Sequence, residues 1–125
     1  MYDVEHFQVV LLNTRRKLIR VEHISQGTLD TLLVHPREVF RCAILGGASA
    51  VILVHNHPSG DPAPSGEDWQ LTKRLRAAGE GLGIPLLDHI IIGKGRRFDS
   101  SIRLDRGLQC CLTKLFKAKL NTHTY

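Results

Sequence analysis

A chain of 125 residues, 42% hydrophobic and 23% charged, is long enough for one domain with a buried core and has the composition of a globular protein. No apolar run approaches the ~18 residues of a membrane span, and Met1-Tyr-Asp-Val-Glu-His lacks the basic and apolar segments of a secretory signal. Three cysteines without CxxC spacing (Cys42, Cys110, Cys111) predict reduced thiols in a cytoplasmic protein, and the net charge of +5 comes from short basic clusters without interleaved aromatics, so weak or no direct nucleic-acid binding is expected.

The elements follow from hydrophobic periodicity and turn chemistry. Phe7 to Asn13 is a β-branched and apolar run that reads as a first strand. Thr14-Arg-Arg-Lys17 is the turn, and Leu18 to Ser25 returns as a second strand. Gly27 to Val34 shows no clear period. Pro36 sits where a helix places its first residue, Val39, Phe40, Ala43 and Ile44 make one apolar face, and Gly46-Gly47 ends it. Ala50 to Val54 is apolar on both faces, as a covered central strand requires. It runs into a loop dense in proline and glycine, His55-Asn-His57-Pro-Ser-Gly-Asp-Pro-Ala-Pro64. Ser65 can cap the next helix, with Asp68 completing a variant capping box. Leu71, Leu75, Ala78 and Leu82 form its apolar stripe. Leu86 to Ile92 reads as a buried strand, followed by a short strand near Phe98. The order β-β-α-β-α-β-β predicts an α/β fold, an α-β-α sandwich around a mixed sheet. A divergent tail, 108–125, has apolar residues at spacings compatible with a terminal helix.

The chemistry concentrates after the central strand. His55 and His57 are two apart at a strand end, so both imidazoles point to the same face and can converge on one ion. Asp68 lies in the first turn of the following helix, within roughly 60° of Leu71 on a wheel of about 100° per residue, which turns it towards the histidine strand. Glu67 fits the wheel comparably well, and periodicity does not choose between them. Two histidines and one carboxylate leave a fourth zinc position open, the arrangement of a catalytic rather than a structural site. The competing role for Asp68 is helix capping.

His55-Asn-His57-Pro-Ser-Gly followed by Pro64-Ser65-Gly-Glu-Asp68 resembles the JAMM (MPN+) motif, His-x-His-Pro then Ser-x-x-Asp. More closely, His35-Pro-Arg-Glu-Val-Phe40, Val54-His-Asn-His-Pro-Ser-Gly-Asp-Pro62 and Leu87-Asp-His-Ile-Ile-Ile-Gly93 look like the bacterial RadC family, whose name links it to DNA repair. The resemblance covers about residues 5 to 107. It implies the JAMM/MPN, cytidine deaminase-like architecture, and it selects His55, His57 and Asp68 as the ligands of one zinc ion. It also implies a glutamate base upstream, which points to Glu5; by strand alternation Glu5 shares a face with Phe7, Val9 and Leu11. Glu22 shares its face with Arg20, and Glu38 lies opposite the apolar stripe of its helix. Ser65 is implied as an oxyanion stabiliser, in competition with its capping role. Asp88 and His89 read best as a hydrogen-bonded structural pair.

The implied activity is a zinc-dependent hydrolase, a metallopeptidase or isopeptidase acting on a peptide or protein substrate, with homodimer formation left open. The rival expectations are a DNA-repair-associated binding module and a non-catalytic, zinc-stabilised interaction domain. RadC proteins carry an N-terminal helix-hairpin-helix-like region with no counterpart here, so a fragment of a longer protein is expected, with residues 1–125 forming a single domain.

Overall fold

A computed structural model describes residues 5–28, 34–61, 63–93 and 98–100. The elements are β1 (Glu5–Leu12), β2 (Leu18–Thr28), α1 (Pro36–Leu45), β3 (Ala50–Asn56), α2 (Gly66–Leu82), β4 (Leu86–Ile92) and β5 (Phe98–Ser100). This is the expected order. The second strand runs three residues further than the sequence suggests, because β1 begins earlier and offers partners as far as Glu5, opposite Thr28. Cys42 is a free thiol, while Cys110, Cys111 and the tail from 108 lie outside the described residues.

The strands form one mixed sheet in the order β2-β1-β3-β4-β5. β1 is antiparallel to both β2 and β3, β3 and β4 are parallel, and β5 is antiparallel to β4. The β1–β2 turn is organised by Asn13, whose Oδ1 accepts the backbone N–H of Arg15 (2.9 Å) and of Lys17 (3.0 Å).

Strand alternation divides the apolar residues between two faces. Phe7, Val9, Leu11, Val51 and Leu53 join Val39, Phe40 and Ala43 of α1 and Leu71 and Leu75 of α2 in the larger core. Both helices therefore cover one face of the sheet among the described residues. Val10, Leu12, Ala50, Ile52 and Val54 make a second buried cluster on the other face. β3 is fully buried along its length, as its unbroken apolar run predicts. Two members of the expected helix stripes are exposed: Ile44 at 58% and Leu82 at 51%. Ile44 sits at the rim of a narrow apolar face. Leu82 is in the last turn of α2, where Gly79, not a large side chain, makes the close approach to the body of the domain.

No helix among the described residues is long and apolar enough to cross a membrane.

Candidate metal centre

β3 ends in the helix-covered face of the domain, and its last turn of chain sets both histidines. His55 is still in the strand, 1% exposed, with its ring stacked on Phe7 at a centroid distance of 4.7 Å. His57 lies one step beyond β3, yet its backbone N–H still donates to the Ile92 carbonyl (2.9 Å), which extends the pairing with β4 and fixes the ring's origin. The chain then turns, with the Gly60 N–H donating to the His57 carbonyl (2.9 Å) and Gly60 in the left-handed region at φ 86°.

α2 supplies the carboxylate. Ser65 caps the helix: its Oγ accepts from the Asp68 backbone N–H (3.1 Å), and Asp68 Oδ2 accepts from the Ser65 N–H (2.8 Å). This is the predicted capping box, with aspartate in place of the usual glutamate. Asp68 is completely buried, whereas Glu67 is exposed, which resolves the ambiguity of the helical wheel.

His55, His57 and Asp68 come together with their ligand atoms all within 4.8 Å of one another, a group that could hold a metal ion. His57 Nε2 is 2.8 Å from Asp68 Oδ2, and His55 Nε2 is 3.1 Å from Asp68 Oδ1. The second pair is close without being aligned as a hydrogen bond. Both its atoms are buried and have no hydrogen-bond partner. Such opposed, unsatisfied atoms are costly to bury. Two ligands at about 2.0–2.1 Å from one tetrahedral ion would themselves lie roughly 3.3 Å apart, close to the 3.1 Å between His55 and Asp68, whereas the 2.8 Å contact of His57 is a hydrogen-bond distance.

His57 points the same way. Its Nδ1 is 2.9 Å from the Asp61 carbonyl, which can only accept, so Nδ1 carries the hydrogen. In the neutral ring Nε2 then presents a lone pair to a carboxylate. The contact needs a positive charge, either a second proton on the ring or a metal ion.

Electrostatics sharpen this picture. Burial opposes ionisation of Asp68, but the adjacent His55 and His57 rings and the Ser65 N–H outweigh it and hold the carboxyl well below the usual carboxylate range. Burial pushes His55 down, against the opposing pull of Asp68. Its partner His89, fully buried, is pushed down to about 3 by desolvation and by neighbouring His55, so it is neutral at physiological pH.

The remaining candidates separate clearly. Glu5 is the first residue of β1, and its side chain lies outside the described part of the structure. Glu22 is ion-paired with Arg20, and Glu38 is exposed in the first turn of α1; neither belongs to the metal-ligating group. Asp88 and His89 do hydrogen-bond, through Asp88 Oδ1 and the His89 backbone N–H (2.8 Å). The His89 ring has a second task that the sequence did not reveal: Nε2 is 2.8 Å from His55 Nδ1, and Nδ1 is 2.6 Å from Thr72 Oγ1. Thr72 was also missed. The available signal was its position one helical turn after Asp68, on the same face.

A mixed α/β sheet with a His-His-Asp group between its central strand and the following helix defines a domain of the JAB type. The profile of the RadC-like JAB domain matches residues 1–107, and the chain belongs to this RadC family. It is 63% identical over 92 residues to a UPF0758 protein of Caldanaerobacter subterraneus, covering 74% of this chain and 40% of the relative. A UPF0758 protein of Alkaliphilus metalliredigens is 62% identical over 89 residues (71% and 38%), and one of Geobacter sulfurreducens is 55% identical over 92 residues (74% and 40%). The chain thus spans about two fifths of the length of these relatives.

Proposed function

We propose that this domain is a zinc-dependent hydrolase of the JAMM type, a metallopeptidase or isopeptidase acting on a peptide or protein substrate, with His55, His57 and Asp68 as the zinc ligands. The observation that carries this reading is the buried pair His55 Nε2 and Asp68 Oδ1, 3.1 Å apart and without hydrogen-bond partners. Two imidazole nitrogens and a carboxylate oxygen are a donor set of catalytic zinc sites, which keep a further position open. When bound, zinc supplies Lewis acidity that acidifies water and polarises a carbonyl.

Glu5 takes the proton of the attacking water and returns it to the leaving amine. Backbone register supports the choice. β1 is antiparallel to β3 with Phe7 opposite His55, and Glu5 begins β1 two residues before Phe7, at the end of the pairing where the histidines stand. Ser65 donates its hydroxyl hydrogen to the developing oxyanion. That role is compatible with capping, because the cap uses a lone pair on Oγ and not the hydroxyl hydrogen.

Metal analysis and turnover of a peptide or isopeptide library test the reading together. About one zinc per chain is expected from the donor set. His55→Ala and His57→Ala should each lose most of it; full occupancy in the double variant removes the site assignment. Glu5→Gln should keep its zinc while turnover falls about 10²–10⁴-fold. Turnover at the wild-type rate in that variant would take the base away from Glu5.

A further inference from the structure

His55 has two ring nitrogens, and only one of them can hold a metal. Nε2 faces Asp68 Oδ1, while Nδ1 meets His89 Nε2 at 2.8 Å. The line continues from His89 Nδ1 to Thr72 Oγ1 at 2.6 Å. All three residues are nearly inaccessible to solvent, at 1%, 0% and 2% exposure. Two elements build the line. β3 and β4 are parallel with His89 opposite Leu53, two residues from His55 on the same face, and α2 places Thr72 one turn beyond Asp68.

A line of two neutral imidazoles and a hydroxyl has two self-consistent proton arrangements. In one, Thr72 O–H donates to His89 Nδ1, His89 Nε2–H donates to His55 Nδ1, and the remaining proton of His55 sits on Nε2, where it blocks a metal. In the other, His55 Nδ1–H donates to His89 Nε2 and His89 Nδ1–H donates to Thr72 Oγ1. The lone pair of His55 Nε2 is then directed at Asp68. Each ring holds one proton and the hydroxyl holds one in both arrangements, so the proton count is the same. The hydroxyl fits either arrangement by rotation; in the metal-competent one its oxygen accepts the His89 Nδ1–H, which closes the line.

We infer that His89 and Thr72 are positioning residues that hold His55 in the Nδ1–H tautomer required to ligate a metal through Nε2. The inference rests on the metal-site part of the proposed function and not on hydrolysis. Partners that orient a ligating histidine in this way raise its basicity and fix its ring, and losing one typically weakens metal binding about 10- to 100-fold.

Thr72→Val keeps the shape of the side chain and removes the acceptor. His89 Nδ1–H then loses the Thr72 oxygen that accepts it, which disfavours the arrangement with His55 protonated on Nδ1 and favours the one with its proton on Nε2. The experiment combines zinc(II) titration with two-bond ¹H–¹⁵N spectra of the histidine rings, which distinguish the tautomers. Thr72→Val should bind zinc about 10- to 100-fold more weakly, with its metal-free His55 shifted towards the Nε2–H form. Thr72→Ser should restore both. Wild-type zinc affinity in Thr72→Val, or an unchanged His55 tautomer, overturns the inference.

Should Thr72→Val fail to fold, the wild-type protein still decides. Its zinc-loaded spectrum must show His89 protonated on Nδ1, and protonation on Nε2 overturns the inference. Failure of the relay leaves wild-type zinc binding intact, whereas a wild type that binds no zinc overturns the metal site and the relay together.

Discussion

Asp68 does two jobs with one carboxylate. Oδ2 closes the capping box on Ser65 and meets His57, and Oδ1 faces His55 in a space closed to water. A buried carboxylate costs free energy unless positive charge or hydrogen bonds offset it. Here the neighbours are imidazoles that are neutral unless protonated, so a cation is what the group lacks. Asp68→Asn removes the charge and keeps the shape. Zinc affinity should fall at least about 10-fold, and the metal-free protein should also melt lower, because the amide lacks the charge that the fold stabilises, although its oxygen still accepts from the Ser65 N–H. Titration calorimetry and thermal melts on the same samples separate the two effects; unchanged affinity would leave Asp68 as a cap alone. Of these two readouts, Ser65→Ala touches stability alone. It should cost about 1 kcal/mol of stability with zinc affinity retained, measured by urea denaturation with and without metal.

At the scale of elements, the position of α2 on the sheet determines whether Asp68 and Thr72 reach the histidines. That position depends on a close approach at Gly79. A Cβ there would sit 2.5 Å from the Ile84 carbonyl oxygen and 3.2 Å from Phe40 Cζ. Backbone cannot swing aside as a side chain can, so the helix would have to lift from the start of β4. Gly79→Ala should destabilise the domain by about 1–3 kcal/mol despite the better helix propensity of alanine. Gly81 is two residues along the same helix, and a Cβ there meets nothing within 4 Å. Gly81→Ala should therefore stabilise by about 0.5–1 kcal/mol. Denaturant midpoints for the pair test the packing argument; a harmless Gly79→Ala would mean that α2 is not seated by this contact.

For the whole molecule, buried histidines tie stability to pH. His89, ordinarily near 6.5, is pushed down to about 3 in the fold, and His55 is also lowered. Between those two values the unfolded chain binds more protons than the folded one. Stability of the metal-free protein is thus fully present above about 6.5 and declines as pH falls towards about 3. The depressed carboxyl of Asp68 acts in the same direction at lower pH, since its contribution is present above the unfolded value of 3.8 and is lost as pH falls below it. Zinc should raise the melting temperature at neutral pH, by an amount equivalent to about 2.7 kcal/mol at a free concentration 100 times Kd. That increment should shrink on acidification, because protons compete with the ion for the same nitrogens. Melting curves across the acidic range, with and without zinc, check both slopes; a zinc increment independent of pH would place the ion elsewhere.

Local pattern in the chain determined the order of the seven elements, the covered central strand and the Ser65–Asp68 capping box. Each of these depends on neighbours a few residues apart. The two-residue spacing of His55 and His57 was legible for the same reason. Glu67 and Asp68 differ too little on a helical wheel to be told apart without the sheet against which α2 packs. The extent of β2 depended on its pairing with β1, and the exposure of Ile44 and Leu82 on where each helix leaves the body of the domain. The His89–Thr72 line is the clearest case decided by tertiary structure. Its three residues lie 34 and 17 positions apart along the chain, and they meet only because a parallel strand pair and the helix between its strands close on one another.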